Sequence, residues 1–195
     1  MKRTIPIFLF WAMLALMLSG CAQQSPQLQS TDIDQYSIQD INIDGDISEN
    51  EYRYSLNDSA TGLTVYWSND DSNVYLAIRY QEPGWVAVGF NPSFAMKDAN
   101  IIMMAFQDRQ AMVRDDYGTG NFSHQQDEQL GGTNDIVEYA ATSESFELVI
   151  PLDSQDQYDQ ELQPGNSYKL ILSTGSSYDF DTKHSKRSTA TISLD

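Results

Sequence analysis

The central part of the chain reads Leu63-Thr-Val-Tyr-Trp-Ser-Asn-Asp-Asp-Ser-Asn-Val-Tyr-Leu-Ala-Ile-Arg-Tyr80. Its two halves, Leu63–Ser68 and Val74–Tyr80, alternate apolar and polar side chains with a period of two, which is typical of half-buried β-strands. Asn69–Asn73 joins them at hairpin length with residues that favour turns. This stretch therefore predicts an antiparallel β-hairpin.

The same pattern recurs on both sides of the hairpin, bounded by Gly, Pro, Asn and Asp. Ser93–Asn100 is the one stretch among these segments that could hold a short helical turn, in a loop between two strands. About ten short strands and no long helical period predict an all-β fold, a single antiparallel β-sandwich over residues 39–195. The further strand candidates are Tyr52–Leu56, Trp85–Phe90, Ile101–Gln107, Ala111–Asp116, Ile136–Ala141, Ser145–Ile150, Tyr168–Ser173 and Thr189–Leu194.

The first 20 residues have the pattern of an export signal. Lys2 and Arg3 precede an apolar run, Ile5–Leu18, that is too short to cross a bilayer as a helix. Leu18-Ser-Gly-Cys21 follows, and Cys21 is the only cysteine in the chain. We therefore expect a lipoprotein signal peptide over residues 1–20 and a lipid on Cys21. An ordinary signal peptide with an incidental Cys21 is the alternative.

Residues 21–38 are rich in Gln, Ser and Asp, and we expect them to form a lipidated cysteine and a flexible tether. The tether would attach the exported domain to a membrane of the cell envelope. Ala22 follows the cysteine where no aspartate stands, which favours an outer membrane facing the periplasm.

The chain is strongly acidic, with 28 Asp and Glu residues against 11 Lys and Arg and a formal net charge of −17. Such a surface repels nucleic acid and anionic lipid headgroups. Common enzyme motifs are also missing from the sequence, including a Gly-x-Ser-x-Gly elbow, a phosphate loop and His-Glu-x-x-His. We therefore expect a binding or carrier protein, with no nucleic-acid partner and no catalytic residues.

Two segments offer ligands for a cofactor. Gly84-Trp-Val-Ala-Val-Gly-Phe90 is followed by Met96, and His184 lies just before the last predicted strand. A Met and a His from two loops can hold one haem iron from opposite faces. The plain structural alternative is a packed strand and two loop residues. Three cations surround the histidine and could pair with carboxylates: Lys183, Lys186 and Arg187.

The order of several motifs resembles the DOMON domain family, from about Ile41 to Leu194. The resemblance implies a β-sandwich and, in the cytochrome-type members, non-covalent haem b between a Met after the Gly-Trp strand and a His before the final strand. Met96 and His184 stand at these positions, and Lys183 stands where the family often has tyrosine. The motifs are Ile43-Asp-Gly45, Glu49-Asn-Glu-Tyr52, Gly84–Phe90, Met96-Lys-Asp-Ala99, Asp115-Asp-Tyr117, Asp127, Gly131-Gly-Thr-Asn-Asp-Ile136, Pro151-Leu152, Gly175 and Lys183-His184.

On this resemblance we expect a haem protein that passes single electrons. Because the lipid expected on Cys21 would hold it at a membrane, we also expect a membrane-bound cytochrome or oxidoreductase as its partner. Trp85, Phe90 and Met104 would pack around the haem, and Lys186 and Arg187 would pair with its propionates.

Other binding modes stay open at the level of the sequence. The same pocket could hold a sugar or another small molecule, hydrogen-bonded by Asp98, Asn100 or Asp127, or act in adhesion. His124 and Asp127 could hold a metal ion, with Asp115 or Asp116 as further ligands. The acidic stretch Asp44–Glu51 lacks the twelve-position spacing of a known calcium loop and is expected to form a turn.

Overall fold

The computed structural model describes residues 27–30 and 37–195 of the chain. They form two six-stranded antiparallel sheets that pack face to face, which confirms the predicted all-β sandwich. The predicted signal peptide, Cys21 and part of the predicted tether lie outside the described residues. None of the described helices is long and apolar enough to span a membrane.

The first sheet has the strand order β1-β2-β3-β4-β10-β9. At its centre is the hairpin of β3 and β4, in which Thr64 pairs with Arg79 and Asn69 with Val74. The Asp70 carboxylate accepts hydrogen bonds from the backbone N–H groups of Ser72 and Asn73, which holds the turn. The strands are β1 (Gln27–Ser30), β2 (Tyr54–Asp58), β3 (Leu63–Asn69), β4 (Asn73–Arg79), β9 (Glu138–Ala141) and β10 (Ser145–Pro151).

The second sheet has the order β12-β11-β5-β6-β7-β8. Its central strands β5 and β6 are apolar almost throughout, because both of their faces are covered. The strands are β5 (Trp85–Phe90), β6 (Asn100–Gln107), β7 (Gln110–Gly120), β8 (Ser123–Gln126), β11 (Ser167–Gly175) and β12 (Lys186–Ser193). The helical segments are a 3₁₀ turn (Ile38–Asp40) and the one-turn helix α1 (Asp127–Leu130).

The main hydrophobic core lies between the two sheets. Trp67 of the first sheet is 1% exposed, and its Nε1 donates to the Ser193 carbonyl of the second sheet at 2.9 Å. Alternating residues of each strand point into this layer, as the period-two pattern predicts. The largest fully buried side chains of this core are Trp67, Phe90, Phe146, Leu63, Leu76, Ile78, Ile102, Met104, Leu148, Leu170 and Leu172.

Three segments differ from the sequence-based expectation. Gln27–Ser30 falls within the predicted flexible tether but pairs with β2 as an edge strand, because a ladder of backbone hydrogen bonds does not depend on side-chain pattern. Ser123–Gln126 also forms an unforeseen edge strand. The loop after β5 is a tight turn closed by a Phe94–Lys97 bridge, with no helical turn.

Candidate functional site

The outer face of the second sheet carries a second apolar cluster. Along β5 and β6, even-numbered residues point into the main core and odd-numbered residues point to the opposite face. We call this cluster the outer patch. It consists of six buried residues, Trp85, Ala87, Ala99, Ile101, Met103 and Ala105. The face of a sandwich that points away from the partner sheet is normally polar, so a buried apolar patch there needs a cover.

The cover comes from two loops and one strand. Met96 belongs to the loop between β5 and β6, Tyr178 and Phe180 belong to the loop between β11 and β12, and Ile171 lies on β11. All four are partly buried against the outer patch. The two loops that sequence analysis singled out for Met96 and His184 therefore meet the same apolar surface.

The backbone holds the Met96 loop in one position. Ala95 and Asp98 have positive φ angles of 53° and 63°, which turn the chain sharply on either side of Met96. The Asp98 N–H donates to the Gly118 carbonyl on β7, and the Gly118 N–H donates to the Ala99 carbonyl, both at 2.8 Å. A Cβ atom at Gly118 would lie 1.7 Å from the Met96 carbonyl oxygen. Only glycine allows the loop to approach β7 this closely.

The His184 loop is tied to the outer patch through Trp85. The Trp85 Nε1 donates to Thr182 Oγ1 at 3.1 Å, and the Ser185 N–H donates to the Thr174 carbonyl at 2.7 Å. His184 lies between these two contacts and is partly buried. Burial, and then the positive charges of Arg187 and Lys183, lower the pKa of His184. The imidazole is therefore neutral at physiological pH, which is the form that binds metals.

An ion-pair network on β7 and β8 borders the outer patch and contacts the His184 loop. The Arg114 guanidinium binds Asp116 through Nε at 2.6 Å and Nη2 at 2.7 Å, and His124 Nδ1 contacts the same carboxylate at 2.5 Å. Arg114 also lies over the Phe180 ring at 5.1 Å and binds Asp181 at 3.2 Å. These contacts attach the His184 loop to β7.

The three residues predicted to pack around a haem lie on two different faces of the second sheet. Trp85 belongs to the outer patch, whereas Phe90 and Met104 lie in the core between the sheets. The physical reason is strand parity, since Trp85 and Phe90 are five positions apart on one strand and must point to opposite faces. Phe90 and Met104 are therefore core residues and are not available beside Trp85.

The residues predicted to pair with haem propionates, and those predicted to hold a separate metal ion, also lie in different contact networks. Lys186 Nζ binds Glu82 at 2.8 Å, while Arg187 is exposed next to His184. His124 pairs with Asp116, but Asp127 lies in a different group with Asp115 and Asp159. The predicted His124 and Asp127 metal pair thus has its members in separate contact networks.

Sequence reasoning missed three residues of this face, Met103, Phe180 and Arg114. Met103 pairs with Ala87 across β5 and β6, and Arg114 Nη2 lies 3.9 Å from its sulfur. The parity rule alone would have placed Met103 with Trp85 once the pairing of their strands was known. No sequence pattern marks Phe180, because it lies in an irregular loop.

These observations define the protein as a β-sandwich in which loops cover an apolar patch on one outer face. The family model of the DOMON domain matches residues 59–175, and the chain belongs to this family. Among solved structures, the cytochrome domain of Myriococcum thermophilum cellobiose dehydrogenase is similar, with a TM-score of 0.51 at 12% identity. The alignment covers 73% of this chain and 83% of that one. No curated protein sequence shows a significant match.

Proposed function

We propose that this DOMON domain binds haem b and carries single electrons at the cell envelope. The observation that supports the proposal most is the outer patch, an apolar surface bordered by a loop with a thioether and a loop with a neutral imidazole. The similarity of this chain's fold to that of a cytochrome domain is in keeping with this role. We take Met96 and His184 as the axial ligands.

The residues present fit such a group. Haem needs a broad apolar surface and donors to its iron, and the six residues of the outer patch are all uncharged and at most 4% exposed. Because Met96, Tyr178 and Phe180 cover the patch, haem would bind between it and these loop side chains. Tyr178 and Phe180, on the loop of His184, offer aromatic surface at the edge of the patch. Arg187 and Lys183 are exposed cations beside His184 that can pair with propionates. Lys186 can do so only by leaving Glu82.

Haem b would supply one electron that is reversibly gained and lost at its iron. Met96 and His184 would hold the iron from the two loops and would leave it no open position, which would favour electron transfer over oxygen activation. Trp85, fixed by Thr182, keeps the His184 loop against the patch. We therefore propose a carrier and not an enzyme.

The location and partner are part of the same proposal. A lipid on Cys21 would hold the domain at a membrane, with the outer membrane facing the periplasm as the favoured site. A membrane-bound cytochrome or oxidoreductase is then the fitting electron partner, because both proteins would be confined to the same surface.

Titration of the purified full chain with haemin tests the proposal. We expect saturation at one haem per chain and low-spin spectra in both oxidation states. A chain that takes up no haem would contradict the proposal, and glycan binding by such a colourless protein would support the sugar-binding alternative instead.

Variants locate the ligands. Met96→Leu and His184→Ala should each lose the low-spin spectrum. Met103→Leu tests the second thioether of the outer patch, and Met112→Leu, on an exposed side chain of β7, is the matched control. Both should keep the spectrum of the unchanged protein. Loss of the spectrum in Met103→Leu but not in Met96→Leu would move the axial position to Met103.

A further inference from the structure

A group of aspartates lies at one end of the sandwich and is separate from the proposed haem ligands. It contains Asp115 on β7, Asp127 at the start of α1 and Asp159 in the loop between β10 and β11. One carboxylate oxygen from each of the three lies within 4.8 Å of those of the other two. Asp115 points into the sandwich, because its neighbour Asp116 points to the outer face where it binds Arg114.

Several of these oxygens are buried without a partner. Asp127 is 0% exposed, and neither of its carboxylate oxygens makes a hydrogen bond with any described residue. Asp115 is 2% exposed; its Oδ2 accepts from the Asp135 N–H at 3.3 Å, while its Oδ1 has no partner in the described structure. Buried carboxylates normally have hydrogen bonds or a counter-charge, since burial without them is costly.

No described cation compensates the three charges. The ion pairs of the described residues involve other acids, such as Asp116, Asp181 and Glu82. The described part of the protein therefore places three carboxyl groups close together with no lysine or arginine paired to any of them.

The uncharged side chain of Asn100 provides a second, separate observation. This side chain at the start of β6 is 7% exposed, and its Nδ2 donates to Asp159 Oδ1 at 2.6 Å. Its amide oxygen Oδ1 is buried and makes no hydrogen bond with a described residue. Asn100, Asp115 and Asp159 line the same small cavity. A neutral acceptor left unpaired beside unpaired carboxylates indicates a cation that binds oxygen.

We propose that this end of the sandwich binds one calcium ion. The donors are three carboxylates and one amide oxygen, with neither His nor Cys among them, which suits a hard cation and not zinc or copper. Calcium fits better than magnesium, because magnesium gives up its water ligands reluctantly and rarely occupies buried protein cages. The ligands are Asp115, Asp127, Asp159 and Asn100.

The ion would add to the contacts that already join the loop of Asp159 to α1 and to the second sheet, such as the hydrogen bond from Tyr158 Oη to the Leu130 carbonyl and the Tyr117–Tyr158 ring contact. Asp127 and Asp159 lie on α1 and on a long loop, whereas Asn100 and Asp115 lie on adjacent strands of the second sheet. Calcium bound to all four would fasten the helix and the loop to the sheet. It would stabilise the folded state by mass action, since these ligands are not assembled in the unfolded chain.

Thermal unfolding of the full chain tests the proposal, after removal of bound metal with a chelator and exchange into chelator-free buffer. We expect about 1 mM CaCl₂ to raise the unfolding midpoint by about 5–10 °C. MgCl₂ at the same concentration, and NaCl at the same ionic strength, should raise it much less. Calorimetric titration with CaCl₂ should show one site per chain.

Two variants place the ion. Asp127→Asn and Asp159→Asn should each lose the calcium response, and without calcium each should be at least as stable as the unchanged chain because a repelling charge is gone. The matched controls are Asp46→Asn and Glu49→Gln, two exposed acids of the stretch 44–51, which should respond fully to calcium.

Three results would overturn the proposal. These are no calcium-dependent shift in the unchanged chain, an equal shift with magnesium or sodium, and a full calcium response in both Asp127→Asn and Asp159→Asn. The test is independent of haem, because every measurement is made on the chain without added haemin.

Discussion

At the residue scale, adjacent acids in this fold have opposite surroundings. Asp115 and Asp116 follow each other on β7, yet one points into the sandwich and the other binds Arg114 and His124 on the outer face. The difference follows from the alternation of side chains along a strand. The chemistry of each acid is therefore set by the face on which it lies.

Asp116 and Asp181 allow the Arg114 network to be measured. Asp116 is 0% exposed and binds Arg114 through two hydrogen bonds, so we expect Asp116→Asn to lower the free energy of unfolding by about 2–4 kcal/mol. Asp181 binds the same arginine but is 79% exposed, and Asp181→Asn should cost less than about 0.5 kcal/mol. Urea unfolding of both variants provides the comparison. Equal losses would show that burial does not govern this network.

The sequence predicted part of the candidate site at this scale. It marked Met96 and His184 as a possible ligand pair and Trp85 as their neighbour. Strand parity alone already places Phe90 on the face opposite Trp85, but which face is the core, and on which face Met104 lies, depends on the strand pairing that the sequence does not give. It also gave no sign that Asp159, from a polar loop, lies beside Asp115, since that contact depends on the three-dimensional path of the loop.

At the element scale, strands with an apolar face were predictable, whereas the polar edge strands β1 and β8 were not. The hairpin of β3 and β4 was confirmed almost to its ends, because one-sided burial imposes alternation. The strands β1 and β8 lie at sheet edges and have few apolar residues. Their backbone hydrogen bonds leave no trace in side-chain pattern, so the sequence did not reveal them.

Gly118 connects β7 to the Met96 loop, and its replacement is informative. We expect Gly118→Ala to lower the free energy of unfolding by about 2–3 kcal/mol, because its Cβ atom would collide with the Met96 carbonyl oxygen. Haem affinity should fall as well if Met96 is a ligand. Urea unfolding and haemin titration measure the two effects.

Gly120→Ala, two residues further along β7, is the matched control. Its nearest obstacle is the Ser123 hydroxyl at 2.8 Å, the end of a side chain that can rotate away. We expect a loss of less than about 1 kcal/mol and unchanged haem affinity. If the two variants behaved alike, contact between Gly118 and the Met96 loop would not matter for stability.

At the scale of the whole molecule, the net charge of −17 opposes folding. Repulsion among acids is stronger in the compact chain than in the expanded one and is screened by salt. With divalent ions removed, raising NaCl from about 0.02 M to about 0.5 M should increase the thermal unfolding midpoint by several degrees. A falling midpoint would mean that the few attractive ion pairs outweigh the general repulsion.

The early position of β1 would limit the movement of the domain if Cys21 carries lipid. Only residues 22–26 separate Cys21 from β1, and a chain of this length spans at most about 20 Å. If Cys21 carries lipid, the edge of the first sheet formed by β1 stays within that distance of the bilayer. The short tether would then restrict how the domain can turn at the membrane. An electron partner in the same membrane could reach only the surfaces of the domain that these orientations expose to it.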